Sequence, residues 1–136
     1  MAPEQFIDAA LWFPEAEESE PFGPGHLVHK IAGQKMFALL GGDREAAWVN
    51  LKCDPGLALE LREEFPGVTP GYHMDKRHWN TVSLSEVPDD EILEMLRHSY
   101  VLVARGLRKA DRDRVLAALG DGIPHLPGTG KPTGAV

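Results

Sequence analysis

Three short apolar runs follow one another along the chain, and tight breaks separate them. They are HLVHKI (26–31), QKMFALL (34–40) and AAWVNLKC (46–53). Runs of this length at hairpin-like spacing are typical of consecutive antiparallel strands. A further alternating run, WNTVSL (79–84), lies later in the chain. The sequence therefore predicts an antiparallel sheet as the framework of the fold.

Helix signals flank these strands. A first helix is predicted over 3–13, where apolar residues recur at helical spacing before a proline. A second begins after Asp54, because Asp is a favoured N-cap and the next residue is proline. A long helix follows Pro88, and a short last helix covers 111–119. Since the strands are neighbours in sequence, we expect the helices on one face of the sheet, an α+β fold.

Length and composition favour one domain. The chain has 136 residues, of which 43% are hydrophobic and 26% charged, as is usual for a single globular domain. We predict a domain over 1–119 with an acidic loop at 14–25, and a disordered Gly/Pro-rich tail over 120–136. The one cysteine, Cys53, has no partner for an internal disulfide. Without a signal-peptide or membrane-spanning pattern, a cytoplasmic protein with no membrane contact is expected.

The net charge of −7 is unevenly distributed. Residues 1–25 hold six acidic residues and no Lys or Arg, so the rest of the chain is nearly neutral. Nucleic-acid-binding domains are usually basic. Only local patches of positive charge could therefore bind a phosphate backbone here.

Alternation assigns the side chains of two strands to opposite faces. One face is apolar and consists of Val49, Leu51, Cys53, Val82 and Leu84. The other is polar and aromatic and consists of Trp48, Asn50, Lys52, Trp79, Thr81 and Ser83. Because Cys53 shares the apolar face, we interpret it as a buried, inert thiol.

The same alternation extends to the two preceding strands. It places His26, Val28 and Lys30 on the polar face, together with Lys35 and Phe37 of the second strand. The cations Lys76, Arg77 and His78 are expected at the rim of this face. Aromatic rings interleaved with cations are typical of a surface that stacks bases and follows phosphates. The alternative is that indoles and lysine stems only cover the sheet.

Motifs for catalysis or metal binding are absent from the sequence. The spacing of His73 and His78 fits no standard ligand pattern, and Cys53 has no CxxC partner. The segment GTGKPT (128–133) departs from a phosphate loop at both critical positions. No GxSxG or HExxH sequence occurs. We therefore predict a non-enzymatic protein without a cofactor.

One long stretch, LKCDPGLALELREEFPGVTPGYHMDKRHWNTVSL (51–84), closely resembles the MmcQ/YjbR family of small bacterial proteins. The flanking segments QKMFALL (34–40) and SYVLVARGL (99–107) extend the resemblance, and YHMDKRHWNTV is its most specific part. It implies a bacterial frataxin-like (CyaY-like) α–β sandwich. It also implies DNA binding, the role with which the family is commonly labelled, and packing roles for Ser99 and Tyr100.

Combined with the face assignment, the resemblance gives a set of nucleic-acid or ligand-binding residues. They are Lys35, Trp48, Lys52, Tyr72, His73, Lys76, Arg77, His78, Trp79 and Asn80. Asp75 stands where the family more often has Asn, which adds a negative charge inside the motif.

Three hypotheses for function follow. The first is a DNA-binding module that uses the basic and aromatic sheet face. The second is a frataxin-like protein-interaction or metal-binding module, whose acidic N-terminal segment offers Glu15, Glu17, Glu18 and Glu20 as oxygen ligands. The third is a small-molecule or enzymatic site around His73 and His78. DNA and protein are thus the candidate partners, and a monomer is expected.

Overall fold

A six-stranded antiparallel sheet forms the framework of the computed structural model, which describes residues 1–126. The strands are β1 (Ala16–Ser19), β2 (Leu27–Ile31), β3 (Lys35–Gly41), β4 (Trp48–Lys52), β5 (Val68–Pro70) and β6 (Trp79–Ser83). Their order across the sheet is β1-β2-β3-β4-β6-β5. Short turns join the first four strands as a meander, and the chain then returns through β5 at the far edge to β6.

The helices all pack on the same face of this sheet. They are α1 (Pro3–Leu11), α2 (Pro55–Glu64), α3 (Asp89–Arg105) and α4 (Lys109–Leu119). The central helix, α3, crosses β2, β3 and β4, whereas α2 lies against β5 and β6. α1 lies near β1, and α4 packs on α3. The predicted α+β class, with an antiparallel sheet and helices on one face, is confirmed.

Helix α3 buries the stripe that its sequence spacing indicates. Ile92, Leu96, Tyr100, Val103 and Leu107 are all buried. Three acidic residues occupy its first turn, where the helix dipole favours negative charge. The prediction of a long amphipathic helix after Pro88 is thus confirmed.

One extra residue in β3 interrupts its pairing with β2. His29 pairs with Ala38 and Lys30 pairs with Met36, so Phe37 has no partner of its own. This β-bulge places two consecutive side chains, Phe37 and Ala38, on the helix-covered face. Beyond the bulge the alternation of β3 is reversed, and Met36 takes the opposite face.

The prediction that Lys35 and Phe37 lie on the face without helices is therefore wrong. Phe37 is fully buried, and its ring lies edge-on to Tyr100 with centroids 5.2 Å apart. Lys35 pairs with Ile31, and its Nζ donates to the carbonyl of Gly106 at 2.9 Å, at the end of α3. The bulge is the physical reason, because strict alternation would have kept both side chains on the other face.

The hydroxyl of Ser99 links α3 to two strands at the bulge. Its Oγ donates to the carbonyl of Phe37 at 2.6 Å and accepts from the backbone N–H of Lys52 at 2.9 Å. Ladder pairing between β3 and β4 ends at Ala38 and Leu51, one residue before these two groups. Ser99 thus satisfies backbone groups that the sheet leaves unpaired, in agreement with the predicted packing role.

Two segments differ from the sequence prediction. Residues 16–19, inside the predicted acidic loop 14–25, form strand β1. Part of the predicted disordered tail also packs on the domain, since Leu126 is buried in the core and Arg97 of α3 donates to the carbonyl of Gly120 at 2.9 Å. The remainder of that tail, and with it the rejected phosphate loop, lies outside the described residues.

Within residues 1–126, no helix has both the length and the apolar character needed to cross a bilayer.

His29 is a buried histidine on the helix-covered face. Its side chain is fully shielded, and the rings of Phe6 and Phe37 lie about 6 Å away. Neither ring nitrogen has a hydrogen-bond partner in the described structure. Nε2 lies 3.5 Å from the carboxylate of Glu18 on β1. Burial lowers the pKa of His29, and the attraction of Glu18 opposes this only in part.

Replacing Ser99 with Ala is expected to destabilise the fold. The substitution leaves the carbonyl of Phe37 and the N–H of Lys52 buried without partners, a loss of about 1–3 kcal/mol. Urea denaturation measures this free energy of unfolding. The exposed Ser85→Ala is the matched control and should change it by less than about 0.5 kcal/mol. Equal stabilities of the two variants would contradict the role assigned to Ser99.

Acidification is expected to destabilise the protein through His29. Because its folded pKa is lowered, the unfolded state binds more protons once the pH falls below about 6.5. The free energy of unfolding should therefore fall between about pH 7 and pH 5. His29→Gln should lose less stability over this range, whereas the exposed His125→Gln should follow the wild type. Denaturation at several pH values measures the difference, and identical profiles for all three would disprove the assignment.

Candidate nucleic-acid interface

A groove lies on the open face, the side of the sheet that carries no helix. Its volume is about 340 Å³. We call it the aromatic groove, and its lining residues are Phe22, His26, Met36, Leu39, Trp48, Asn50, Tyr72, His73 and Met74. No acidic side chain belongs to this lining. The groove therefore combines aromatic and apolar walls with a small number of neutral or basic polar groups.

Trp48 is held in a fixed position at the floor of the aromatic groove. It pairs with Gly41 across β3 and β4, and its ring lies directly over that glycine. A methyl group on Gly41 would lie only 2.6 Å from a ring carbon, so glycine is required for this approach. Tyr72 and His26 meet the indole edge-on, with centroids 5.7 and 6.1 Å away. The indole is thus oriented before any ligand arrives.

A closed ring of three hydrogen bonds anchors Tyr72 over the sheet. The backbone N–H of Tyr72 donates to Thr81 Oγ1 at 2.8 Å, and that hydroxyl donates to Asn50 Oδ1 at 2.5 Å. Asn50 Nδ2 completes the ring by donating to the carbonyl of Tyr72 at 3.0 Å. Asn50 is buried, so its role is to position the wall of the groove.

Arg62 of α2 fastens the loop 71–78, which supplies three residues of the groove lining. Its guanidinium donates to the carbonyls of Lys76 and Trp79 and, at 2.7 Å, to Asn80 Oδ1. The planar fork of arginine suits several acceptors at once. Sequence reasoning missed Arg62, because nothing in its neighbourhood distinguishes it from other exposed helix positions.

Asp75 and His78 are bound to each other inside the loop. His78 Nδ1 lies 2.8 Å from Asp75 Oδ2, and the N–H of Arg77 donates to the same carboxylate at 3.0 Å. The hydrogen bond from His78, followed by that from Arg77, lowers the pKa of Asp75. The carbonyl of His78 also accepts from the N–H of Cys53 at 2.8 Å. The negative charge noted in the motif is therefore used in holding the loop together.

Eight of the ten predicted site residues fall into three groups in the structure. Trp48, Tyr72 and His73 line the aromatic groove. Lys52 and Trp79, paired across β4 and β6, lie beside it on the open face. The third group belongs to the loop and consists of Lys76, Arg77 and His78.

Lys35 does not belong to the open face, which corrects its predicted place, and Asn80, which the resemblance alone added to the set, also lies on the helix-covered face. Lys35 binds the end of α3, as described above. Asn80 is 2% exposed, pairs with Leu51 on the helix-covered face, and donates to the carbonyl of Ala58 at 3.4 Å. Its contacts with Ala58 and Arg62 tie α2 to β6.

Four lining residues were absent from the predicted set: Phe22, Met36, Leu39 and Met74. Phe22 is 70% exposed in the loop between β1 and β2, and an aromatic residue in a Gly/Pro segment is a signal that could have been used. Met36 reaches the open face because of the bulge, whereas Leu39 lies there by the regular alternation of β3.

The acidic segment makes contacts within the protein. Glu15 forms two hydrogen bonds with the guanidinium of Arg114, at 2.6 and 2.9 Å, and Glu18 faces His29. Glu17 pairs with Lys30 across β1 and β2. In residues 1–126, no group of three or more His, Cys, Asp or Glu side chains is placed to hold a metal ion. The interaction or metal-binding role of this segment stays a prediction.

The structure shows where the two histidines of the third hypothesis and the single cysteine lie. His73 lines the aromatic groove, whereas His78 is held by Asp75 in the loop. Cys53 is buried, and its burial raises the pKa of the thiol to about 11. The interpretation of Cys53 as a buried thiol is confirmed.

Comparison with known proteins identifies the family. The family model YjbR matches residues 11–102, which include all six strands and the aromatic groove. The chain belongs to the YjbR family. It is 40% identical over 107 residues to the uncharacterised protein YbdF of Escherichia coli O157:H7, covering 78% of this chain and 87% of YbdF.

Solved structures show the same fold. A crystal structure of a Deinococcus radiodurans protein of domain family DUF419 has a TM-score of 0.78 and 33% identity, with 93% of each chain covered. A Pseudomonas syringae protein has a TM-score of 0.65 and 29% identity, covering 73% of this chain and 96% of that one. Both likenesses support the architecture of this YjbR-family chain, while its relation to frataxin stays a prediction.

Arg62→Lys is expected to loosen the loop 71–78. Lysine cannot reproduce the fork that binds the carbonyls of Lys76 and Trp79 together with Asn80. Hydrogen exchange should become faster for amides of this loop and remain unchanged in β2 and β3. Arg44→Lys is the matched control, since Arg44 is exposed and paired only with Glu4. Faster exchange throughout the sheet, or unchanged exchange in the loop, would contradict the role of Arg62 in holding the loop.

Proposed function

We propose that this protein is a non-enzymatic module that binds single-stranded nucleic acid on its open face. A base stacks in the aromatic groove against Trp48 and Tyr72. The sugar-phosphate backbone of the bound strand passes the cations Lys30 and Lys52 and continues toward the loop 71–78. DNA is the partner that the sequence indicates, and the geometry favours its single-stranded form.

The observation that carries this proposal is the composition and orientation of the groove. Trp48 lies on the open face, half-buried and fixed by Gly41, and not under a helix. Stacking of a base on an aromatic side chain contributes about 1–3 kcal/mol and tolerates any base. A ring already held in place loses little conformational entropy when a ligand binds.

The size of the groove supports a single base as its occupant. Its 340 Å³ lies at the lower end of ligand sites, which span about 300–1,000 Å³. A base inside a duplex is stacked on both sides and exposes no ring face. A single strand can turn a base outward, which is why aromatic readers of nucleic acid use unpaired segments.

Charge limits how strongly the phosphates contribute. The chain as a whole carries −7, so long-range attraction of a polyanion is weak. At most four cations can contribute, namely Lys30 and Lys52 of strands β2 and β4 and Lys76 and Arg77 of the loop 71–78. Four phosphate contacts on a single strand correspond to a logarithmic salt slope of at most about −3. Stacking should therefore dominate the affinity.

Fluorescence anisotropy with labelled oligonucleotides tests the proposal. Single-stranded DNA should bind more tightly than the duplex, with a salt slope no steeper than about −3. Trp48→Ala should weaken binding by at least about fivefold, the loss of one stacked base. Lys52→Gln should weaken binding and reduce the slope, whereas Lys35→Gln, the same change on the helix-covered face, should leave both unchanged.

Two outcomes would contradict the proposal. One is the absence of binding at low salt to either form of DNA. The other is an equal loss of DNA affinity in the Lys52→Gln and Lys35→Gln variants, which would indicate that net charge, and not a site on the open face, attracts the DNA. Circular dichroism of each variant confirms that the fold is retained.

A further inference from the structure

A second cavity lies on the opposite side of the sheet, between α2 and α3. α2 packs on β5 and β6, and α3 packs on β2 to β4, so a cleft remains above the junction of β4 and β6. Its volume is about 280 Å³. We call it the interhelix cleft, and its apolar lining consists of Leu51, Cys53, Leu57, Leu61, Val82 and Met95. It is separate from the aromatic groove, with which it shares no lining residue.

Two apolar side chains in the wall of the interhelix cleft remain partly exposed to solvent. Leu57 and Leu61, one turn apart on α2, are only half-buried. Ala58 is the one residue of α2 that is fully buried, and the hydrogen bonds of Asn80 with Ala58 and Arg62 hold this helix to β6. Two half-buried leucines facing Met95 across an open cleft are suited to hold an apolar body.

The mouth of the interhelix cleft is negatively charged. Glu91 and Glu94 of α3 both line it, and neither forms an ion pair within residues 1–126. Partial burial, together with repulsion from Asp90, Glu64 and Glu94, raises the pKa of Glu91. A carboxylate crowded by other carboxylates is stabilised in its charged form by a cation placed beside it.

Three further polar residues line the interhelix cleft, namely Lys52, Asn80 and His98. His98 Nε2 accepts from the backbone N–H of Asp54 at 3.1 Å, so the neutral ring carries its proton on Nδ1. Burial, aided by Arg105, lowers the pKa of His98 and favours this neutral form. Lys52 also borders the cleft, but its pairing with Trp79 directs its side chain to the open face. The cleft thus presents carboxylates above an apolar floor.

We propose that the interhelix cleft binds a small organic cation, an ammonium or guanidinium group attached to a compact apolar body. The apolar body contacts Leu57, Leu61 and Met95, and the cation lies between Glu91 and Glu94. An anion is repelled by the two carboxylates, and a neutral apolar molecule leaves them without a partner. The volume of 280 Å³ is too small for a helix of another protein and fits a compact ligand.

The test uses 2-phenylethylammonium as the probe, with the full chain labelled for two-dimensional NMR. Neutral 2-phenylethanol and the anion 3-phenylpropanoate have similar shapes and differ in charge. The ammonium should shift the amide signals of Leu57, Leu61, Glu94 and Met95 in a saturable manner. The alcohol should bind at least about fivefold more weakly, and the anion should cause no saturable shift.

Two pairs of substitutions locate the charge effect. The double variant Glu91→Gln, Glu94→Gln should weaken binding of the ammonium by at least about fivefold and leave binding of the alcohol unchanged. The double variant Glu45→Gln, Glu63→Gln removes the same charge from exposed positions outside the cleft lining and should retain full affinity. Equal losses in both would overturn the proposal, because they would reflect net charge alone.

A third variant tests the apolar part. Leu57→Trp fills the interhelix cleft and should abolish the ammonium shifts while the amide signals of β2 and β3 keep their positions. Shifts centred elsewhere in the chain, no shift at millimolar probe, or equal binding of the three probes would each overturn the proposal. Because the cleft and the aromatic groove lie on opposite faces, none of these results depends on nucleic-acid binding.

Discussion

The Ser99 hydroxyl stands at the point where β3 leaves the regular ladder, and the arrangement of both sheet faces depends on that point. It binds a carbonyl of β3 and an N–H of β4, beside a bulge that would otherwise leave buried backbone groups unpaired. The bulge inserts Phe37 into the core against Tyr100 and turns Met36 outward. One polar side chain from the central helix therefore stabilises the irregularity that sorts apolar residues between the core and the aromatic groove.

The two faces differ in how their polar groups are used. On the helix-covered face, the hydrogen bond between Arg62 and Asn80 connects α2 to β6. Arg62 also binds the loop 71–78, which reaches the open face of the sheet. On the open face, Asn50 and Thr81 hold the wall of the groove from beneath. Most polar residues of the specific motif thus stabilise the loop, and its aromatic residues remain available for contact. This division explains how a stretch of mixed polar and aromatic residues forms one wall of the aromatic groove.

Local patterns were sufficient for most of the fold. Alternation assigned Trp48, Lys52 and Trp79 to the correct face, because β4 and β6 pair without interruption. It failed for Lys35 and Phe37, because an apolar run of similar residues carries no local mark of where an extra residue is accommodated. β1 was missed because its short acidic sequence gains its strand conformation from pairing with β2. Arg62 and the interhelix cleft depend on contacts distant in sequence, which no local pattern reports.

The burial of Cys53 has a practical consequence. The chain has one cysteine, and its thiol is enclosed and remains protonated well above neutral pH. Maleimide reagents act on the thiolate of accessible cysteines, so the natural chain should be almost inert to them. A cysteine introduced at an exposed position such as Ser19 or Ser85 would then be the single labelled site. Fluorescent or spin probes can be attached to this fold without first removing a native residue.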